Sequence, residues 1–303
     1  MKKSVQIVLA TAASAALLLA STPAFAAPRS LPAGEALYAF ACDDDGVPAV
    51  GLVDVATGVV TEVVAAFDAS QCYSSPAYNP VDGKIYVIDW TVGDDLAVFD
   101  PVAKTLTTID SFDCDPFTLA IDASGNAWIW DDDTDNLRPV NLDNAVCGTG
   151  VGVVSGTDDF YGMAFAPNGT LYAANYDTGQ FGTVSTSTGA FAPLGSSAMN
   201  ADDNGGLTFD SSGTAWVIDE VNNAEVYSAD ITDYAGTAEL SGQLDFNGDE
   251  YYSEAIVVGK VFSPTPKLPD TGSASVALGV TGLAAAGVIA LGVAMTIRRR
   301  RAS

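Results

Sequence analysis

From about residue 35 onward the chain is a run of short segments in which apolar and polar residues alternate, each ended by Asn, Asp, Gly or Ser. Alternation with a period of two predicts strands with one face buried, and the clustered turn residues predict tight connections between them. No stretch before Thr271 in this region has the 3.6-residue period of a helix.

The pattern repeats. An apolar strand, a tight turn and a strand with an aromatic at its second or third position read Tyr78-Asn-Pro-Val-Asp-Gly-Lys-Ile-Tyr86, Ile121-Asp-Ala-Ser-Gly-Asn-Ala-Trp128, Phe165-Ala-Pro-Asn-Gly-Thr-Leu-Tyr172 and Phe209-Asp-Ser-Ser-Gly-Thr-Ala-Trp216. The turn glycines Gly83, Gly125, Gly169 and Gly213 stand 42, 44 and 44 residues apart, and each position calls for the positive φ that glycine accepts. A second hairpin follows the aromatic strand, as in Phe99-Asp-Pro-Val-Ala-Lys-Thr-Leu and Val184-Ser-Thr-Ser-Thr-Gly-Ala-Phe. Four strands per unit at this spacing predict an all-β fold, a β-propeller. Four units are complete. The segment from Leu37 lacks a first strand, and Ala255–Gly259 supplies one with nothing after it. Together they make a fifth blade, closed by pairing the C-terminal strand with the N-terminal ones, with Leu37 beside Val258. Six blades is the alternative, since Leu240 to Ser253 has room for irregular strands.

Two longer apolar runs flank this region. Lys2 and Lys3, the run Val5 to Ala20 and Ala24-Phe25-Ala26 have the layout of a signal peptide, residues 1–26, removed on secretion. At the other end, Ala274 to Ile297 carries no charge, and Arg298 to Arg301 follow it directly. As a helix that run spans roughly 36 Å, enough for a bilayer core, and the arginines place the N-terminal bulk outside. Leu268-Pro269-Asp270-Thr271-Gly272 stands just before the run. Motif, span and basic tail in this order resemble the cell-wall sorting signal of Gram-positive LPXTG surface proteins. The resemblance covers only residues 268–303. It implies that sortase cleaves between Thr271 and Gly272 and joins Thr271 to peptidoglycan, leaving the protein in the cell wall. The expected organisation is then signal peptide 1–26, propeller 27–261, Pro-rich linker 262–267 and sorting signal 268–303 with a transmembrane helix at 274–297. The repeat resembles NHL-like and YncE-like propellers in its turns and aromatics, a likeness of grammar that implies no functional residue.

All 38 acidic residues fall between Ala27 and Thr271, against six basic ones, so the exported part carries a net charge of −32. Such a polyanion is repelled by nucleic acid. The chain has no histidine, which removes Ser-His-Asp and Cys-His catalysis and His-ligated metal sites. Cys42, Cys72, Cys114 and Cys147 are an even set in an exported region, which favours two disulfides; nearest neighbours in sequence give Cys42–Cys72 and Cys114–Cys147.

Tyr38, Tyr86, Trp128, Tyr172 and Trp216 recur once per blade, as packing between sheets requires. Trp90, Trp130 and Tyr176, at the far ends of the same strands, are candidates for an exposed aromatic rim that contacts ligand. Asp89, Asp131, Asn175 and Asp219 recur there as turn caps. Acidic clusters at 43–45, 94–95, 131–135, 158–159, 202–203 and 249–250 occupy two loop types that open on one propeller face, so they should converge around the channel there. Asp131-Asp-Asp133-Thr-Asp135 and Asp245-Phe-Asn247-Gly-Asp249 have the spacing of a Ca²⁺ loop, without the glutamate an EF-hand places twelfth. Calcium is the one cofactor these residues suggest. The expected function is a non-enzymatic, wall-anchored module that binds a wall-level glycan or protein. The alternative is a secreted carbohydrate hydrolase using paired carboxylates of the acidic face.

Overall fold

The computed structural model describes residues 29–43, 48–65, 72–91, 93–152, 160–175, 180–194, 204–219, 225–234, 239–243 and 251–261. The expected signal peptide, linker and sorting signal with its apolar run lie outside them. Among the described residues no helix is long and apolar enough to cross a membrane.

The described chain is a five-bladed propeller of four-stranded antiparallel sheets. Blade I holds β1 (Glu35–Asp43), β2 (Pro48–Val53) and β3 (Val60–Ala65), and blade II holds β4 (Tyr73–Asn79), β5 (Lys84–Asp89), β6 (Asp95–Asp100) and β7 (Thr105–Ser111). Blade III holds β8 (Pro116–Ile121), β9 (Ala127–Asp131), β10 (Asn136–Asn141) and β11 (Val146–Cys147). Blade IV holds β12 (Phe160–Phe165), β13 (Leu171–Asn175), β14 (Phe181–Val184) and β15 (Phe191–Pro193). Blade V holds β16 (Asn204–Phe209), β17 (Thr214–Asp219), β18 (Glu225–Asp230) and β19 (Glu239–Gln243), with a single 3₁₀ turn at Ile231–Asp233. The last strand, β20 (Tyr251–Lys260), returns to blade I and pairs with β1. Leu37 lies opposite Val258, as the repeat count requires, and the ladder runs from Glu35–Lys260 to Asp43–Tyr251. The ring closes at five, and the stretch considered for a sixth blade supplies β19 and the start of β20.

The turn glycines account for the first hairpins. Gly83, Gly125, Gly169 and Gly213 take φ of 76°, 84°, 81° and 90°, the left-handed region costly for any residue with a Cβ. In three blades an Asn or Asp at the turn's start accepts from the backbone N–H two residues on, as Asn79 does from Val81, Asp122 from Ser124 and Asp210 from Ser212.

The core is not one mass. It is five apolar seams, each between two neighbouring blades. The recurrent aromatics fall one to a seam: Tyr38 between blades I and II, Tyr86 between II and III, Trp128 between III and IV, Tyr172 between IV and V, Trp216 between V and I. Several also tie down a turn with their polar end. Tyr86 donates to Asp82 (2.8 Å), Trp216 Nε1 to Asp210 (3.1 Å), and Tyr38 to the Lys260 carbonyl (3.1 Å).

Cys114 and Cys147 form the predicted disulfide. It joins the approach to the innermost strand of blade III to β11, which has only two residues. A ladder that short holds its place poorly, and the bridge supplies what pairing does not. Cys72 is disulfide-bonded too; the side chain of Cys42, its expected partner, lies outside the described residues.

Two outcomes follow from this packing. Ile256→Ala, at a position 1% exposed in the V–I seam, should lower unfolding free energy by about 2–5 kcal/mol in urea titration. Replacing Cys114 and Cys147 together by Ser should cost about 3–4 kcal/mol, the loop-closure value for a ring of this size, measured the same way under non-reducing conditions.

Candidate functional site

The innermost strands β4, β8, β12, β16 and β20 contact one another around the axis. Their N-terminal ends meet the loops expected to be acidic, and their C-terminal ends meet the glycine turns. At the glycine-turn end lies a cavity of about 350 Å³ lined by all five strands, with Tyr78, Met163, Phe165, Phe209 and Val257 among its walls. The acidic clusters were expected around the channel; among the described residues the channel cavity opens at the opposite face.

One polar pair at this mouth comes from the two ends of the propeller, and Asp122 of blade III and Thr208, Asp210 and Ser211 of blade V also line it. Glu35 opens β1 and Lys260 closes β20, so ring closure brings them together. Lys260 Nζ donates to Glu35 Oε1 (2.8 Å), and the Ser211 N–H of blade V donates to Oε2 (3.1 Å). The Glu35 side chain is 5% exposed, that of Lys260 52%. Burial alone raises the Glu35 carboxyl, but Lys260 and Ser211 outweigh it and hold the group below its ordinary value. Gly259 lies between the rings of Tyr38 and Tyr78, where a Cβ would stand 3.2 and 3.3 Å from them, so only glycine leaves both rings in place. Burial raises the Tyr38 and Tyr78 hydroxyls, and Tyr78 also feels the charges of Lys260, Asp82 and Glu35. The Tyr78 phenol therefore stays protonated at neutral pH beside an otherwise apolar wall.

The described basic side chains follow the same polarity. Lys84 begins β5 and Lys104 lies in the turn after β6, both at the mouth face with Lys260. Arg29 acts on Asp230 at the end of β18, on that face too. Arg138 instead points inward, donating from Nη1 to Asp131 and from Nε to the Gly148 carbonyl (2.8 Å).

The opposite face is acidic, as expected, where it is described. Burial raises the Asp94 carboxyl, aided by Asp115, Asp95 and Asp89; Asp115 is raised by burial and then by Asp133 and Asp131. Carboxylates of blades II and III thus act on each other across the seam.

The candidate calcium loop does not gather its ligands. Asp131 is 1% exposed and already holds a cation, Arg138, along with the Thr134 hydroxyl (2.8 Å). Asp133 and Asp135 are exposed. Among the described residues, the one group of three or more candidate ligands whose donor atoms lie together is Asp113, Cys114 and Cys147, and its two thiols are joined in the disulfide. Asp245, Asn247 and Asp249 lie outside the described residues, as does Tyr176.

Of the aromatic rim, Trp90 is half-exposed. Trp130 is a correction: it is wholly buried, edge-on to Phe160 with centroids 5.0 Å apart. On β9, Ala127 and Ile129 face blade II while Trp128 and Trp130 face blade IV, so Trp130 enters a seam and not a rim. Asp89 caps its turn as expected, accepting from the Thr91 N–H (3.1 Å) and hydroxyl (2.7 Å). Asp131 and Asn175 are buried at the equivalent positions; the side chain of Asp219 lies outside the described residues. Glu35 and Lys260 were not singled out from sequence, since nothing local marks two residues so far apart as partners.

No protein-family model matches the chain, and no curated protein does. Solved structures do. A chain of a nidogen/laminin complex is 16% identical, with a TM-score of 0.52 over 75% of this chain and 98% of that one. TolB from Acinetobacter baumannii is 15% identical, with a TM-score of 0.47 over 69% of this chain and 54% of that one. At such identities the likeness is one of fold.

The mouth's ion pair has a pH signature. A carboxyl held below its ordinary value of 4.5 adds stability above that pH and loses it as pH falls through the folded-state value. Lys260→Met should therefore cost up to about 1 kcal/mol at neutral pH, the pair being partly exposed, and the gap to the parent protein should close on acidification. Urea midpoints across the acid range will show it.

Proposed function

We propose that this chain is a secreted surface protein, joined to Gram-positive peptidoglycan by sortase through Thr271, that displays its propeller as a binding module with the channel mouth as recognition site. The observation that carries the binding reading is the mouth itself. All five blades contribute to one concave, largely apolar cavity, and a few convergent polar groups stand at its edge: the Tyr78 hydroxyl and the Glu35–Lys260 pair. Apolar walls with sparse, fixed polar groups are the general form of a small-ligand or side-chain site. The absence of histidine agrees with recognition without chemistry.

The anchoring reading rests on the resemblance of LPDTG, apolar run and arginine tail to a sorting signal. The fold is compatible with it, because β20 is the last strand of the propeller and ends at Lys260, shortly before that segment in the sequence. Residues 262–267 reach about 20 Å at most, and their prolines stiffen them. A module tethered this closely meets ligands at the level of the wall. The likeness to a chain from a nidogen/laminin complex, a structure whose components are two proteins, is consistent with a propeller used for association.

Thr271→Ala should move the protein from the covalent wall fraction to the membrane fraction of a sortase-bearing host. Wall material released by muralytic enzyme and probed by immunoblot reads this directly; unchanged covalent attachment would defeat the anchoring reading. Tyr78→Phe, which removes the hydroxyl and keeps the ring in the I–II seam, should weaken ligand retention by the whole chain about three- to tenfold with little change in melting temperature.

A further inference from the structure

A second concavity, of about 450 Å³, lies on the mouth face between blades II and III, away from the channel. Its walls are the first-hairpin turn of blade II, from Asn79 to Asp82, the equivalent turn of blade III around Gly125 and Asn126, and the second-hairpin turn of blade III from Asn141 to Asp143. Gly125 shapes the floor. A Cβ there would stand 3.1 Å from Val81 Cγ2, so glycine lets the two turns approach, and Val81 remains 67% exposed above them. Its volume falls within the roughly 300–1,000 Å³ of small-ligand sites.

The polar groups here are of one kind. Tyr86 is held by its hydroxyl, which donates to Asp82 Oδ2 (2.8 Å). Burial, then the bond to and charge of Asp82, push this phenol's pKa upward; Asn79 pulls the other way, and the charge of Asp143 adds to the rise. Asp82 is engaged further, accepting from the Lys84 N–H (3.0 Å). Asn126 gives its Nδ2 to Asp122, leaving Oδ1, and Asn141 accepts from the Asp143 N–H on Oδ1, leaving Nδ2. The Asp143 carboxylate is exposed, with its own N–H used in that bond. The groove thus offers amide acceptor, amide donor and carboxylate acceptor together, beside an exposed valine, and no Lys or Arg lines it.

We infer that this groove is a subsite for a neutral carbohydrate. Its groups ask for a ligand that donates and accepts at adjacent atoms, which a sugar hydroxyl does and an ammonium or an anion does not. The missing cation argues against anionic glycans, whose charge would meet Asp82 and Asp143 unopposed. Val81 provides the apolar contact that the C–H face of a sugar ring takes. The hydrogen bonds to Asp82 leave its charge in place, so a cationic peptide is the competing ligand that the test must include.

The test is a calorimetric titration of the whole chain in detergent with chitotetraose, an uncharged oligosaccharide, alongside tetralysine. Saturable binding of the sugar is expected. Asp143→Ala and Asn126→Ala should each weaken it about three- to tenfold, the range for one lost net hydrogen bond, at unchanged melting temperature. Lys260→Met reports on the channel mouth instead: sugar binding weakened by that change and not by the two groove changes would put the sugar at the mouth and overturn the inference. The inference is overturned if chitotetraose does not bind, if both groove variants bind it as the parent does, or if tetralysine binds more tightly than the sugar.

Discussion

Everything in this molecule depends on the ladder between β1 and β20. A propeller blade buries its two faces only against its neighbours, so each seam needs both of its blades in place. The seam between blades V and I exists because β20, from the far end of the domain, becomes the innermost strand of blade I. Without that pairing, Leu37, Ile256 and Val258 lose their surroundings, and β16 loses an inner neighbour to which it contributes the Thr208 hydroxyl that accepts from Val258 N–H (3.0 Å). The same pairing makes the channel mouth. Glu35 and Lys260 are opposite one another only because the ring is closed, so the stability of the ring and the form of its mouth share one origin.

Much of the fold was legible because its determinants are local. A turn that needs positive φ shows itself as a glycine, and four glycines at near-constant spacing show a repeat. An aromatic needed once per seam appears once per unit. The count of blades was legible by subtraction, from a first strand missing at one end and present at the other, and the Leu37–Val258 register followed. That the acidic loops of blades II and III share a face could be read the same way, since topology alone sets which loops do, and Asp94 feels the charge of Asp115 across that seam.

The site was much less legible, for physical reasons that particular residues illustrate. Trp130 sits in a strand whose residues alternate between two buried seams, so neither parity points to solvent; position near a strand end suggested a rim, and side-chain direction decided otherwise. Asp131 carries the spacing of a metal ligand, yet its Oδ2 is taken by Arg138, on the adjacent strand. Spacing along the chain does not reveal which cation a carboxylate meets across a sheet. Glu35 and Lys260 lack any local signal, and the groove between blades II and III is built by three turns from two repeats, none unusual by itself.

Antiparallel closure has a further, mechanical consequence. Traction applied along β20 through the residues that follow Val261 pulls the strand lengthwise past β1. The nine register pairs of that ladder then bear the load side by side, in shear, and must give way together; a pull across the strands would part them one at a time. Lys260 is the first of these pairs to feel the force, and its partner Glu35 is bonded in turn to Ser211 of blade V. Tension entering at the end of the last strand is therefore passed at once to two blades, and a domain tethered by this end would resist being drawn apart by the tether itself.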